Sequence, residues 1–140
     1  MAAYYSLEPE VAGELGGDTI LDRSVHPPAV GKLHYLLTGW LGDELLESFP
    51  CYIVTKRVAA ALQNAGFTGY TLDSLRLEVS NQFRELCPSR HVPPFRWLRI
   101  TGEASIDDFG RSNEHLLVVS DRALAVLRQF TLNECEIERI

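Results

Sequence analysis

Apolar and polar positions run in the same order twice along this chain. Cys51-Tyr-Ile-Val-Thr-Lys-Arg-Val-Ala-Ala-Ala-Leu62 aligns without a gap on Leu116-Leu-Val-Val-Ser-Asp-Arg-Ala-Leu-Ala-Val-Leu127. The register continues through Phe67/Leu132, Tyr70/Cys135, Leu72/Ile137 and Leu75/Ile140. Each copy opens on a continuous apolar run, as expected of a strand buried on both faces. A hydroxyl residue follows, Thr55 or Ser120, placed to accept from the first free helical N–H groups. Val58, Ala61, Leu62 and Ala65 then recur at helical spacing, as do Leu124 and Leu127 with Phe130 beyond them. Gly66 supplies the left-handed residue that ends the first helix. An alternating strand closes each copy, over 71–79 and 135–140.

The segments outside the copies are less regular. Residues 1–30 read as an arm with short strands at Tyr4–Glu8 and Thr19–Leu21, a glycine turn over 13–17 and a rigid His26-Pro-Pro28. Gly13-Glu-Leu-Gly-Gly17 lacks the spacing of a phosphate-binding loop. Lys32 to Trp40 predicts a strand, and 41–48 one or two helical turns capped by Asp43. Asn81 to Leu86 predicts a short helix and Phe95 to Thr101 a strand. The expected fold is α+β: one domain over 1–140, with two pseudo-repeated β-(Ser/Thr cap)-α-β units at 50–79 and 115–140 packed around a mixed sheet.

At 140 residues and 46% hydrophobic, the chain can build its own core. No apolar run approaches the ~18 residues of a membrane span. Met1-Ala-Ala-Tyr-Tyr has neither a basic region nor a hydrophobic signal core. Cys51, Cys87 and Cys135 have no zinc-ligand spacing, and an odd count of thiols in apolar surroundings points to a reducing, cytoplasmic compartment. The net charge of −6 disfavours nucleic acid and suits a basic protein partner.

Candidate chemistry is sparse. Ser120 sits where a hydrolase nucleophile would, but Val-Val-Ser-Asp-Arg lacks the glycines of a nucleophile elbow, and Thr55 fills the same slot; capping explains both. Arg57 and Arg122 stand near helix N-termini, where the dipole opposes a cation. That implies pairing, with Asp73 and Glu138 as expected partners. His26, His34, His91 and His115 form no metal-binding pattern. Asp107 and Asp108 precede Phe109-Gly110 in a turn without a third carboxylate at calcium-loop spacing. Trp40, ringed by Asp43, Glu44 and Glu47, is the candidate for an exposed acidic and aromatic binding face, with Trp97 between Arg96 and Arg99 a second; the alternative is that both indoles lie in the core.

Gly39-Trp-Leu-Gly-Asp43, Pro50-x-x-Ile-Val-Thr-x-Arg57, Phe95-x-Trp-Leu-x-x-Thr-Gly102, Asp108-Phe-Gly110 and Leu117-Val-Val-Ser-x-Arg-Ala123 together resemble small bacterial immunity proteins of polymorphic toxin systems. The resemblance implies a non-catalytic protein without cofactor or metal, which binds and occludes a cognate toxin domain. The expected partner is a basic toxin domain, met by Trp40, Asp43, Glu44, Glu47, Asp107 and Asp108. The unbound protein is expected to be a monomer or weak homodimer. Two alternatives remain: a small enzyme with Arg57 and Arg122 as anion clamps in a cleft between the units and Asp107, Asp108 or a histidine as acid–base group, or an adaptor subunit whose N-terminal tyrosines, Tyr4 and Tyr5, and C-terminal strand pair with another chain.

Overall fold

The computed structural model describes residues 3–140. Its strands are β1 (Tyr4–Glu8), β2 (Gly13–Leu15), β3 (Ile20–Asp22), β4 (Ala29–Lys32), β5 (His34–Leu37), β6 (Leu45–Ser48), β7 (Cys51–Thr55), β8 (Tyr70–Asp73), β9 (Arg76–Val79), β10 (Phe95–Ile100), β11 (Phe109–Arg111), β12 (Leu117–Ser120) and β13 (Glu136–Arg139). The helices are α1 (Lys56–Ala65), α2 (Asn81–Leu86) and α3 (Asp121–Leu127).

The fold is α+β in a single small domain, but the strands do not form one mixed sheet. Two four-stranded antiparallel sheets dominate, ordered β6-β7-β10-β8 and β11-β12-β1-β13. The sheets share a plan. In each, the strand before the helix pairs on one side with a short strand just upstream of it. On its other side a strand from elsewhere in the chain separates it from the strand after the helix. That separating strand is β10 in the first sheet and β1 in the second. The expected N-terminal arm is therefore corrected: β1 lies inside a sheet, hydrogen-bonded to β12 and β13. A third sheet, β2-β5-β9, includes a parallel β5/β9 pair, and β3 with β4 forms a hairpin.

Two further expectations change. The predicted helical turns at 41–48 are instead a loop and β6, because Leu45 and Leu46 point to opposite sides of a sheet and are both buried. The predicted strand over 71–79 breaks at Ser74 and Leu75, so β8 and β9 join different sheets. The Thr55 and Ser120 caps and the Gly66 stop agree with the sequence, and Ser80 is a further cap that it did not single out. Thr55, Ser80 and Ser120 accept from Val58, Phe83 and Ala123 amides, and Gly66 has φ 70°.

Alternation in β6, β7 and β10 creates two cores. Leu45, Tyr52, Val54 and Leu98 face α1 and α3, with Leu62, Val119, Leu124 and Leu127. Leu46, Cys51, Ile53, Phe95 and Trp97 face the third sheet, with Tyr35, Phe83 and Trp40. This accounts for the continuous burial of β7. Of the expected core anchors, Phe130 is partly buried and packs against the first core. Where β10 leaves its sheet toward β11, backbones meet closely. A Cβ on Gly69 (φ 93°) would lie 2.0 Å from Phe109 O, and one on Gly102 2.2 Å from the same atom. Only glycine permits that crossing. No helix among the described residues is long and apolar enough to cross a membrane.

Candidate functional site

The N-terminus of each long core helix carries a buried carboxylate. Glu44, just before β6, accepts from Thr55 Oγ1 at 3.0 Å, from Arg57 Nε at 2.5 Å and Nη2 at 2.7 Å, and from the Thr131 amide at 2.8 Å. Asp108, just before β11, accepts from Ser120 Oγ at 2.7 Å, from Arg122 Nη2 at 3.1 Å and from the Thr68 amide at 3.0 Å. The Thr55 amide donates to Glu44 O and the Ser120 amide to Asp108 O. Each hydroxyl thus accepts from its helix and donates to a carboxylate, using both of its capacities.

The position of the arginines follows. The positive end of the helix dipole favours the carboxylate, and the arginine follows the carboxylate. The expected partners Asp73 and Glu138 are corrected. Asp73 instead receives Arg99 Nη1 at 3.1 Å, and the Glu138 carboxylate forms no ion pair among the described residues. Burial pushes Glu44 upward, but bonds from Arg57, Thr131 and Thr55 outweigh it and leave the carboxyl below its ordinary pKa. In Asp108 burial is likewise overcome, by Ser120, the Thr68 amide and Arg122. Both guanidinium charges are thereby matched by carboxylates, so Arg57 and Arg122 do not form a free anion clamp.

The expected acidic and aromatic face is largely interior. Trp40 is 7% exposed, Asp43 0% and Glu44 6%. Trp40 Nε1 donates to Asp43 O at 2.9 Å, and Arg90 stacks 4.8 Å from its ring centroid. Asp43 accepts from the Asn133 and Glu134 amides at 2.8 and 2.7 Å. The physical reason is the loop geometry: these carboxylates satisfy amides of the α3–β13 connection that would otherwise be orphaned. Asp108 is also buried, whereas Asp107 and Glu47 are half-buried. Asp107 accepts from the Glu103 amide at 2.8 Å. Burial pushes the Glu47 carboxyl up, Arg111 draws it down and Glu8 adds to the rise.

Sequence reasoning passed over Glu10. It is 7% exposed and accepts from the Leu41 amide at 2.7 Å and the Asp43 amide at 3.2 Å. Burial raises its pKa despite both bonds. Nothing in the local sequence marks this role, because its partners lie 31 and 33 residues away.

The exposed acidic surface lies elsewhere. The register Glu8↔Glu136 and Ser6↔Glu138 puts three exposed carboxylates on one side of the β1–β13 pair. Leu7 and Ile137 point the other way, into the first core. Ser6, Glu8, Glu136, Ile137 and Glu138 line a groove of about 440 Å³. β13 is the outermost strand of its sheet, so its far edge is unpaired among the described residues. The signal was legible in Cys135-Glu-Ile-Glu-Arg-Ile140, whose alternation places Glu136 and Glu138 together. No protein-family model and no curated protein matches this chain.

Proposed function

We propose that this is a non-catalytic binding protein of the immunity type, which neutralises a basic toxin domain by docking it on the acidic edge of β13. The observation that carries this reading is the Glu8–Glu136–Glu138 cluster beside an unpaired strand edge. Like charges directly opposite one another on a sheet are unfavourable. A cationic partner turns that local cost into attraction and speeds encounter. The free edge supplies main-chain donors and acceptors to an added strand, and the carboxylates supply selectivity for Lys and Arg on it. Binding by strand addition asks nothing of Glu44 and Asp108, which are occupied in holding helices α1 and α3.

The test uses the domain encoded beside this chain's gene. It is expressed in a bacterial host with and without the protein, and growth is followed. Protection and co-elution of a stoichiometric complex are expected from the native chain. The triple reversal Glu8→Lys/Glu136→Lys/Glu138→Lys should lose both while remaining folded. Full protection by the folded triple variant would remove the acidic edge from the interface. Absence of any complex with the native chain would remove the immunity reading.

A further inference from the structure

Three adjoining cavities form one groove beside the start of α1. The first, of about 290 Å³, lies between Trp40, His91, Pro93 and Thr131. The second, of about 240 Å³, shares Glu44, Arg57 and Pro93 with it. The third, of about 480 Å³, shares Lys56 and Pro94 with the second and reaches Leu75, Leu77, Phe95 and Arg96. Pro93 and Pro94 therefore run along the whole row. They carry no N–H, and the Lys56 amide takes the Pro94 carbonyl at 3.0 Å, so this wall is mainly apolar. Leu75 and Leu77 are half-buried, which leaves part of each side chain open to a partner.

The charge free to act in this groove is positive. Lys56 is exposed, and neither it nor Arg96 forms an ion pair among the described residues. Arg96 donates from Nε to the Asp73 carbonyl at 3.4 Å, a bond that does not use its Nη nitrogens. The neighbouring carboxylates are occupied. Glu44 holds Thr55, Arg57 and the Thr131 amide, and Asp73 holds Arg99 and the Ser74 amide. Apolar walls with two unmatched cations are complementary to a chain that carries both apolar groups and carboxylates.

We propose that this groove binds an extended segment of a partner protein in which apolar side chains alternate with Asp or Glu. The apolar side chains pack over Leu75 and Leu77 at one end and past Pro93 at the other. The carboxylates meet Lys56 and Arg96 in charge-assisted hydrogen bonds. A row of cavities suits successive side chains of an extended peptide. The acidic strand of a second copy fits less well. In β13 the backbone is already paired with β1, and Ile137 is packed into the first core. No lining residue belongs to β1 or β13, so the groove is independent of the immunity reading.

The test titrates the full chain with a fluorescent peptide of about eight residues, ~26 Å when extended, in which Asp and Leu alternate. One control peptide replaces every Asp by Lys, the other every Leu by Ser. The Asp/Leu peptide should bind saturably and lose affinity as salt rises. Both controls should bind at least tenfold more weakly. Lys56→Glu combined with Arg96→Gln should weaken the Asp/Leu peptide at least tenfold. The helix dipole favours a carboxylate at the first position of α1, so this variant should fold. Ser74→Trp, at an exposed position lining the third cavity, obstructs it without changing charge and should act likewise. The triple reversal Glu8→Lys/Glu136→Lys/Glu138→Lys should not weaken the peptide. Absence of binding, equal binding of either control, or undiminished affinity in either folded groove variant would overturn the proposal. So would weaker binding by the triple variant, which would move the peptide to the β13 edge. Self-association of the native chain that the Lys56/Arg96 variant abolishes would give the groove to a second copy and overturn it as well.

Discussion

Arg57 of α1 stacks its guanidinium 5.1 Å from the centroid of Phe130, a residue that follows α3. The reciprocal contact exists: Arg122 of α3 lies 5.7 Å from the ring of Phe67, which follows α1. The carboxylates cross in the same sense. Glu44, capping the α1 side, takes the Thr131 amide beyond α3, and Asp108, on the α3 side, takes the Thr68 amide beyond α1. Each helix start is thus fastened to the chain that leaves the other helix. The two strand–helix segments are joined by polar contacts as well as by the shared core.

This crossing predicts measurable coupling between residues 73 positions apart. A double-mutant cycle with Arg57→Met and Phe130→Leu should return non-additive denaturation free energies, as a cation–π contact between the two side chains requires. Arg57 is exposed, so the screened part of its pairing with Glu44 adds little. Additive denaturation free energies would show that the stacking contributes nothing.

The carboxylates should matter more than the hydroxyls they hold. Ser120→Ala removes a cap and should cost about 1 kcal/mol. Asp108→Ala also leaves the Ser120 hydroxyl and the Thr68 amide without an acceptor, at about 1–3 kcal/mol for each group that stays buried. Urea unfolding should therefore rank Asp108→Ala well below Ser120→Ala. The reverse order would mean that the loop at Thr68 rehydrates freely.

Much of the framework could be read before the structure. Strand β7, helix α1 and its Gly66 stop, strand β12 and helix α3 all follow from local signals: apolar runs, cap residues and helical spacing. Those signals act within a few residues. The rest depends on contacts between distant segments. Tyr4–Glu8 carries strand composition, but nothing local states that it inserts between β12 and β13. Leu41 to Ser48 has the polar–apolar mixture of a short helix, and pairing of β6 with β7 overrides it. Asp43 and Glu44 look like surface charge because their acceptor roles are filled by amides 87 to 91 positions later. The acidic edge, by contrast, was within reach, since strand alternation alone groups Glu136 with Glu138.

Acid should act on this fold through two opposed sets of carboxylates. Glu44 and Asp108 have pKa values depressed in the folded state, by hydrogen bonds that outweigh burial. Their stabilisation is present above the ordinary carboxylate range and is lost as pH falls through their lowered folded values. Glu10 and Glu47 are raised by burial. Their ionisation opposes folding, and that penalty grows as pH rises from the ordinary carboxylate value through the raised one. Glu47→Gln should therefore stabilise the protein at neutral pH, with the gain shrinking toward zero in acid. Melts of both proteins from pH 3 to pH 8, on the order of the carboxylate titration range, check this. A gain independent of pH would assign the effect to packing.

The acidic edge makes a prediction with opposite signs in two assays. Glu136 lies directly across from Glu8, and both are exposed. Reversing one of them, in Glu136→Lys, replaces a repulsive cross-strand pair by an attractive one. Such pairs are worth roughly 0.2–1 kcal/mol, so the isolated protein should become slightly more stable. The same change takes negative potential from the surface proposed to meet a basic domain. Association should slow, most at low salt, while dissociation changes less, as expected for a charge at an interface rim. Glu138→Lys faces Ser6 rather than a carboxylate and should slow association without the gain in stability. Melting temperatures and binding rates measured on the three proteins separate the possibilities. Loss of stability in Glu136→Lys would show that the cluster is structural. A gain in stability with unchanged association would show that the face is merely solvated and that the partner binds elsewhere. Only the combination of raised stability and slowed, salt-sensitive encounter fits a sheet edge that keeps its negative charge for a cationic strand.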